Sequence, residues 1–145
     1  MIEAFSTPHN RNRTFIYFAI CAVLAIAAVA IGIDDNPPGL LLAYLSATAF
    51  VLAFVHPWRS SKRFRNLIFA SLLGFIVFAI LHNVFEFIAW RAGGSGLVLG
   101  LLESISAAFF LVAVLLCPPA LLVGAIGAVV MHIRARHSQP GVLDA

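Results

Sequence analysis

Residues 67–90 read LIFASLLGFIVFAILHNVFEFIAW, and the fold turns on which solvent that stretch can live in. As a helix it reaches ~36 Å at about 1.5 Å per residue, enough to cross a hydrocarbon layer of about 30 Å with some tilt. Three polar residues, His82, Asn83 and Glu86, interrupt its second half. A carboxyl and an imidazole at that depth are costly and need partners.

The rest of the chain has the same character. Of its 145 residues 62% are hydrophobic and 10% charged, and the mean hydropathy is +1.03. A soluble domain carries roughly 25% charge and about 45–50% apolar residues. The expected fold is therefore an all-α, multi-pass transmembrane helical bundle of four to five helices, forming one domain over 1–145 with no soluble domain. Cys21 and Cys117 lie inside apolar runs and read as small packing residues.

Working outward, residues 1–13 read as a polar tail carrying Pro8, Arg11 and Arg13. The first span is 14–33. Ala28-Val29-Ala30 imitates a signal-peptidase site, but the apolar run is longer than a usual signal core. Asp34-Asp35-Asn36-Pro37-Pro38-Gly39 breaks the helix, and Pro38 suits the first turn of the next one. The second span, 39–55, ends at His56-Pro57-Trp58, with Trp58 placed as an interface anchor. The third span is 65–91, and a Gly-rich loop follows it.

The last apolar stretch, 97–133, is ambiguous. As one straight helix it would run about 55 Å, too long for an ordinary crossing. Cys117-Pro118-Pro119 divides it, because each proline removes a helix hydrogen bond and clashes with the preceding turn. Length favours two segments, 97–116 and 119–134, and five helices in all. Charge favours one kinked crossing, which keeps Arg134 and Arg136 on the side of the basic loop. The reading leans to five.

That basic loop, RSSKRFR at 59–65, sets the expected orientation. Arg59, Lys62, Arg63 and Arg65 fix topology and meet anionic lipid headgroups, with the N-terminus cytoplasmic in a bacterial inner membrane. No basic face interleaved with aromatics exists outside the spans, so nucleic acid is not an expected partner.

Hydrophobicity does not drive helices together in lipid; close backbone approach and interhelical hydrogen bonds do. Small residues four apart mark such faces: Gly96, Gly100, Ser104 and Ala108; Gly39, Ala43 and Ala47; Gly124 with Gly127 and Ala128; Ala28 and Gly32. They suit a tight bundle or, as the sharper alternative, a self-associating face.

His82 and Glu86 share a helix face, and Asn83 and Glu86 are also neighbours. Glu103 lies about 10 Å into the next segment from the same side, level with them. The expected site is an intramembrane polar cluster of His82, Asn83, Glu86 and Glu103 near the outer leaflet. Ser104 and Ser106 can donate to it, and Asp34 or Asp35 can approach it. His82 can hold a shared proton.

One histidine among two acids is a sparse metal set, and no HxxH or ExxH pair occurs, so neither metal nor cofactor is expected. His56 and His132 could pair as ligands only if the last crossing ends inside. No catalytic motif or nucleophile constellation supports an enzyme. The expected function is an accessory, structural or complex subunit whose partners are the bilayer and other membrane subunits or a second copy. The alternative is a small oligomeric proton or cation transporter or channel using His82, Glu86 and Glu103.

Overall fold

The computed structural model describes residues 2–33, 36–92 and 96–137. A short 3-10 turn, Ile2–Ala4, precedes α1 (Pro8–Ile31) and α2 (Pro37–Val55). Then come α3 (Ser61–Ala92), α4 (Leu97–Leu111), a π-helical turn (Val112–Leu116) and α5 (Cys117–His137). No strand occurs among the described residues.

The helices outrun their apolar runs. Residues 8–13, expected as tail, form the first turns of α1. Thr7 caps them: its Oγ1 accepts the Asn10 N–H at 3.2 Å, and Pro8 takes the first position, where its missing N–H costs nothing. Hydropathy marks only what lipid touches, whereas the hydrogen-bond ladder continues past it through arginine and lysine, which are good helix formers. The same extension starts α3 at Ser61 and carries α5 to His137. Pro37 and Pro38 both stand in the first turn of α2, as expected for Pro38.

The double proline does not split the last stretch as the sequence suggested. Residues 97–137 form one helical run of 41 residues. The turn before the prolines widens, and the Cys117 N–H donates to the Val112 carbonyl five residues back. Widening relieves the clash between each proline ring and the carbonyl four residues earlier. The chain thus has five α segments but four helices long and apolar enough to cross a membrane, α4 and α5 being continuous.

Topology follows from named contacts. Thr14 is fully buried, and its Oγ1 proton is shared between the Ala4 carbonyl at 3.0 Å and the Ala53 carbonyl at 3.2 Å. This pins the N-terminal turn and α1 to the C-terminal end of α2. Farther along the hairpin, Ser46 Oγ donates to the Cys21 carbonyl at 2.9 Å. α3 runs antiparallel to the whole last helix: Ser61 Oγ donates to the Ala128 carbonyl, Gly74 meets Cys117, and His82 meets Ser106. α2 packs on α5, while α1 makes no close backbone approach to α3, α4 or α5 among the described residues.

α5 continues past the start of α3, so Arg134 and Arg136 emerge at the end that holds 59–65. Glu3 clasps Arg63 there, and Arg63 holds the Glu3 carboxyl below the usual carboxylate range. Arg11 and Arg13 precede Thr14 at the same end. Of the nine Lys and Arg, only Arg91 lies at the opposite end, stacked on Phe87 and Trp90. Arg59, Lys62, Arg63 and Arg65 are all exposed.

The core sits at the basic end. Val51 and Val55 of α2, Phe64 of α3 and Ala120 of α5 form one buried cluster, with the Trp58 ring edge-on to Phe64 at 5.5 Å. Close approach is bought with glycine. A Cβ on Gly127 would lie 2.3 Å from the Phe64 ring, and one on Gly124 would lie 3.2 Å from the Phe64 carbonyl. At the other end of the α1/α2 hairpin, Gly32 takes φ +92°, a conformation that suits glycine, and its carbonyl would lie 1.7 Å from a Cβ on Gly39.

From this level the helices differ in reach. α2 rises about 28 Å and α3 about 48 Å. Counted from the Val55–Phe64 contact, α3 overshoots the far end of α2 by about 15 Å. α2 makes no close backbone approach to α4 among the described residues. The far halves of α3 and α4 therefore leave the bundle as a two-helix arm.

Large apolar side chains cover the outside: Ile26, Val29 and Phe69 are 69%, 73% and 69% exposed. Water would not tolerate so much exposed apolar surface, and lipid would. The chain is a small integral membrane protein.

Candidate functional site

The arm carries the polar residues. His82 points from α3 at α4. Its Nδ1 lies 2.8 Å from Ser106 Oγ and 3.1 Å from the Ser106 carbonyl, while Ser106 Oγ lies 3.2 Å from the His82 carbonyl. Ser106 is buried, with 5% exposure. The carbonyls can only accept, so the Ser106 hydroxyl donates to His82 and the Nδ1–H donates to Ser106. Nε2 faces Glu86 Oε2 at 3.4 Å.

The clasp is closed in by rings. Phe110 lies 5.1 Å from the imidazole. Phe109 stacks on Phe78 at 5.8 Å and tilts against Phe85 at 5.4 Å. Beside the clasp opens a groove of about 700 Å³ lined by His82, Glu86, Ala89, Trp90, Leu99, Glu103, Ser106, Ala107 and Phe110. Glu86 and Glu103 are exposed and line opposite walls. Glu103 makes no hydrogen bond or ion pair among the described residues.

The expected cluster is thus assembled in part. His82, Glu86 and Glu103 share the groove, with Ser106 as the donor that locks the histidine. Asn83 does not join them. Its side chain donates to the Ala79 carbonyl of its own helix at 2.7 Å and lines a separate apolar hollow with Ile80, Val84 and Phe87. The reason is angular: one residue past His82 rotates the side chain about 100°, off the α4 face. Ser104 likewise turns back to the Gly100 carbonyl at 2.7 Å. Asp34 and Asp35 lie outside the described residues. No three His, Cys, Asp or Glu among the described residues are grouped to hold a metal. At the basic end His56 Nδ1 lies 3.2 Å from the Ala53 carbonyl, with its ring 5.6 Å from Tyr17.

Sequence reasoning missed the groove's carbon walls. Leu99 precedes Glu103 by four, Ala107 and Phe110 follow it at helical spacing, and Trp90 follows Glu86 by four, so the stripe was there to be read. No family model, curated protein or solved structure matches this chain.

Ser106→Ala removes the hydroxyl that accepts from Nδ1 and donates to the His82 carbonyl, leaving Nδ1 the Ser106 backbone carbonyl alone. Its expected cost is about 1 kcal/mol, the scale of an interhelical hydrogen bond in a membrane protein. Asn83→Ala is expected to change stability by less than about 0.5 kcal/mol, because its bond stays within one helix. Unfolding in detergent measures both, and a larger loss for Asn83→Ala would contradict the clasp.

Proposed function

We propose that the protein is an accessory subunit of a membrane complex that packs against another transmembrane helix through the outward face of α4. One observation carries this reading. The small residues of α2 and α5 are used inside the chain: Gly39 sits on Gly32, and Gly124 and Gly127 sit on Phe64. Those of α4 are not. Nothing lies within 4 Å of a Cβ on Gly100, and Ser104 and Ala108 are exposed. α4 packs on α3 and leaves that stripe bare, flanked by the exposed Leu101, Ile105 and Leu111. A face suited to backbone approach and left uncovered fits a second helix.

The gathering of basic residues supports an orientation with the basic end cytoplasmic, four crossings and both termini inside, in a bacterial inner membrane. A transport role draws less support. Between the His82 level and the basic end the α3/α5 seam is apolar apart from Ser71, whose hydroxyl turns back to the Leu67 carbonyl.

Crosslinking in native membranes tests the proposal. A cysteine at Ser104 is expected to form an adduct heavier than one 15.6 kDa chain, with either a second copy or a different protein. Gly100→Leu is expected to abolish it while the unfolding midpoint holds. Cysteines at Ser6 and Ala135 are expected to label from the same, cytoplasmic side. A protein that stays a single chain in mild detergent and gives no adduct, or whose vesicles carry a Glu103-dependent proton flux, refutes the subunit reading.

A further inference from the structure

We propose that the α3/α4 groove binds the ammonium group of an amphiphile, with its nitrogen between Glu86 and Glu103. Charge is the first ground. Two carboxylates line one groove, and among the described residues His82 is the one basic side chain that pairs with either of them. Arg91, the nearest arginine in sequence, lies over the Phe87 and Trp90 rings at 5.4 and 5.8 Å instead. Every other Lys and Arg is at the far end of the bundle, with Arg65 about 31 Å from Glu86 along α3. That leaves Glu103, which pairs with no cation among the described residues, open to one from outside the chain.

The walls decide what kind of cation fits. A hard metal ion asks for about six oxygen ligands, and the groove has two carboxylates against walls of carbon. Leu99, Ala107 and Phe110 suit an alkyl body. About 700 Å³ is the size of a small-molecule site. The arm also overshoots α2, which puts the acids near the level where an amphiphile keeps its charged head while its tail stays in lipid. An aminophospholipid head and a free alkylamine share this chemistry. The site is distinct from the α4 stripe, since Glu103 and Ser104 are rotated about 100° apart on the helix.

The test uses the full-length protein in maltoside micelles. Dodecylammonium is titrated against tryptophan fluorescence, and phosphatidylethanolamine is compared with phosphatidylglycerol by native mass spectrometry. Glu103→Gln, which breaks no internal bond, is expected to keep the wild-type unfolding midpoint and weaken binding about tenfold. Adding Glu86→Gln is expected to abolish it. Binding of both probes marks a lipid head as a ligand, and binding of dodecylammonium alone marks a free amine; either supports the site. It is overturned if Glu103→Gln binds both probes like wild type, if neutral dodecanol binds as well as dodecylammonium, or if magnesium replaces the amine. Gly100→Leu separates the two proposals: it is expected to break assembly and leave dodecylammonium binding intact. A Glu103→Gln variant that breaks assembly yet binds the amine normally also overturns the site.

Discussion

Gly39→Ala is expected to destabilise the α1/α2 hairpin, lowering stability by about 1–3 kcal/mol, the range for overpacking a close contact. The added methyl would stand 1.7 Å from the Gly32 carbonyl oxygen and 2.7 Å from its carbon. Both are backbone atoms, so no rotamer change relieves the overlap. Gly32 cannot easily shift either, because its N–H closes α1 by donating to the Ala28 carbonyl at 3.0 Å. The hairpin must open or one helix must slide. Gly100→Ala is the matched control. Nothing lies within 4 Å of that position, and exchanging an exposed helical glycine for alanine gains up to about 1 kcal/mol of helix propensity. Opposite signs in detergent unfolding are expected from two glycines that look alike in the sequence. Equal losses would contradict a close α1/α2 approach at Gly39.

Phe64→Ala is expected to cost more, about 3–5 kcal/mol by the measure of large-to-small changes in packed cores. Phe64 is 6% exposed and joins three helices at the basic end. In lipid the loss comes from van der Waals contacts with Val51, Val55, Ala120 and the bare face of Gly127 rather than from transfer to water. Gly127→Leu alone is expected to be destabilising too, since its first side-chain atom would meet the Phe64 ring at 2.3 Å. Combining the two returns bulk to the space the ring vacated, so the double variant is expected to be more stable than the sum of the losses by about 0.5–3 kcal/mol. Strict additivity would show that ring and glycine are not packed together.

Much of the candidate site was legible because helical spacing is rigid. His82 and Glu86 fall on one face whatever surrounds them, and a short loop forces α4 back along α3, which brings Glu103 level. Asn83 was joined to the cluster by its three-residue spacing from Glu86, and Ser104 by its depth, and neither relation says which face turns to the neighbouring helix. Each is level with the groove, yet each is turned off it and satisfied by a carbonyl of its own helix. The 97–137 run was misjudged for a different reason. Two prolines forbid an ordinary α turn, but a single π turn satisfies the same prohibition without breaking the helix, and residue types alone do not choose between the two.

Composition and periodicity determined by themselves that this chain is helical, that it belongs in a bilayer and that its basic residues avoid the oily runs. Those are properties of single segments meeting a solvent, and each segment carries them alone. Which glycines are consumed inside the chain, which end collects Arg134 and Arg136, and that Asn83 and Ser104 turn away from the groove were decided only by tertiary structure. They depend on how far each helix runs past its neighbour and which way it is turned when it gets there, and lipid, solvating every apolar face alike, leaves that choice to contacts between distant parts of the chain.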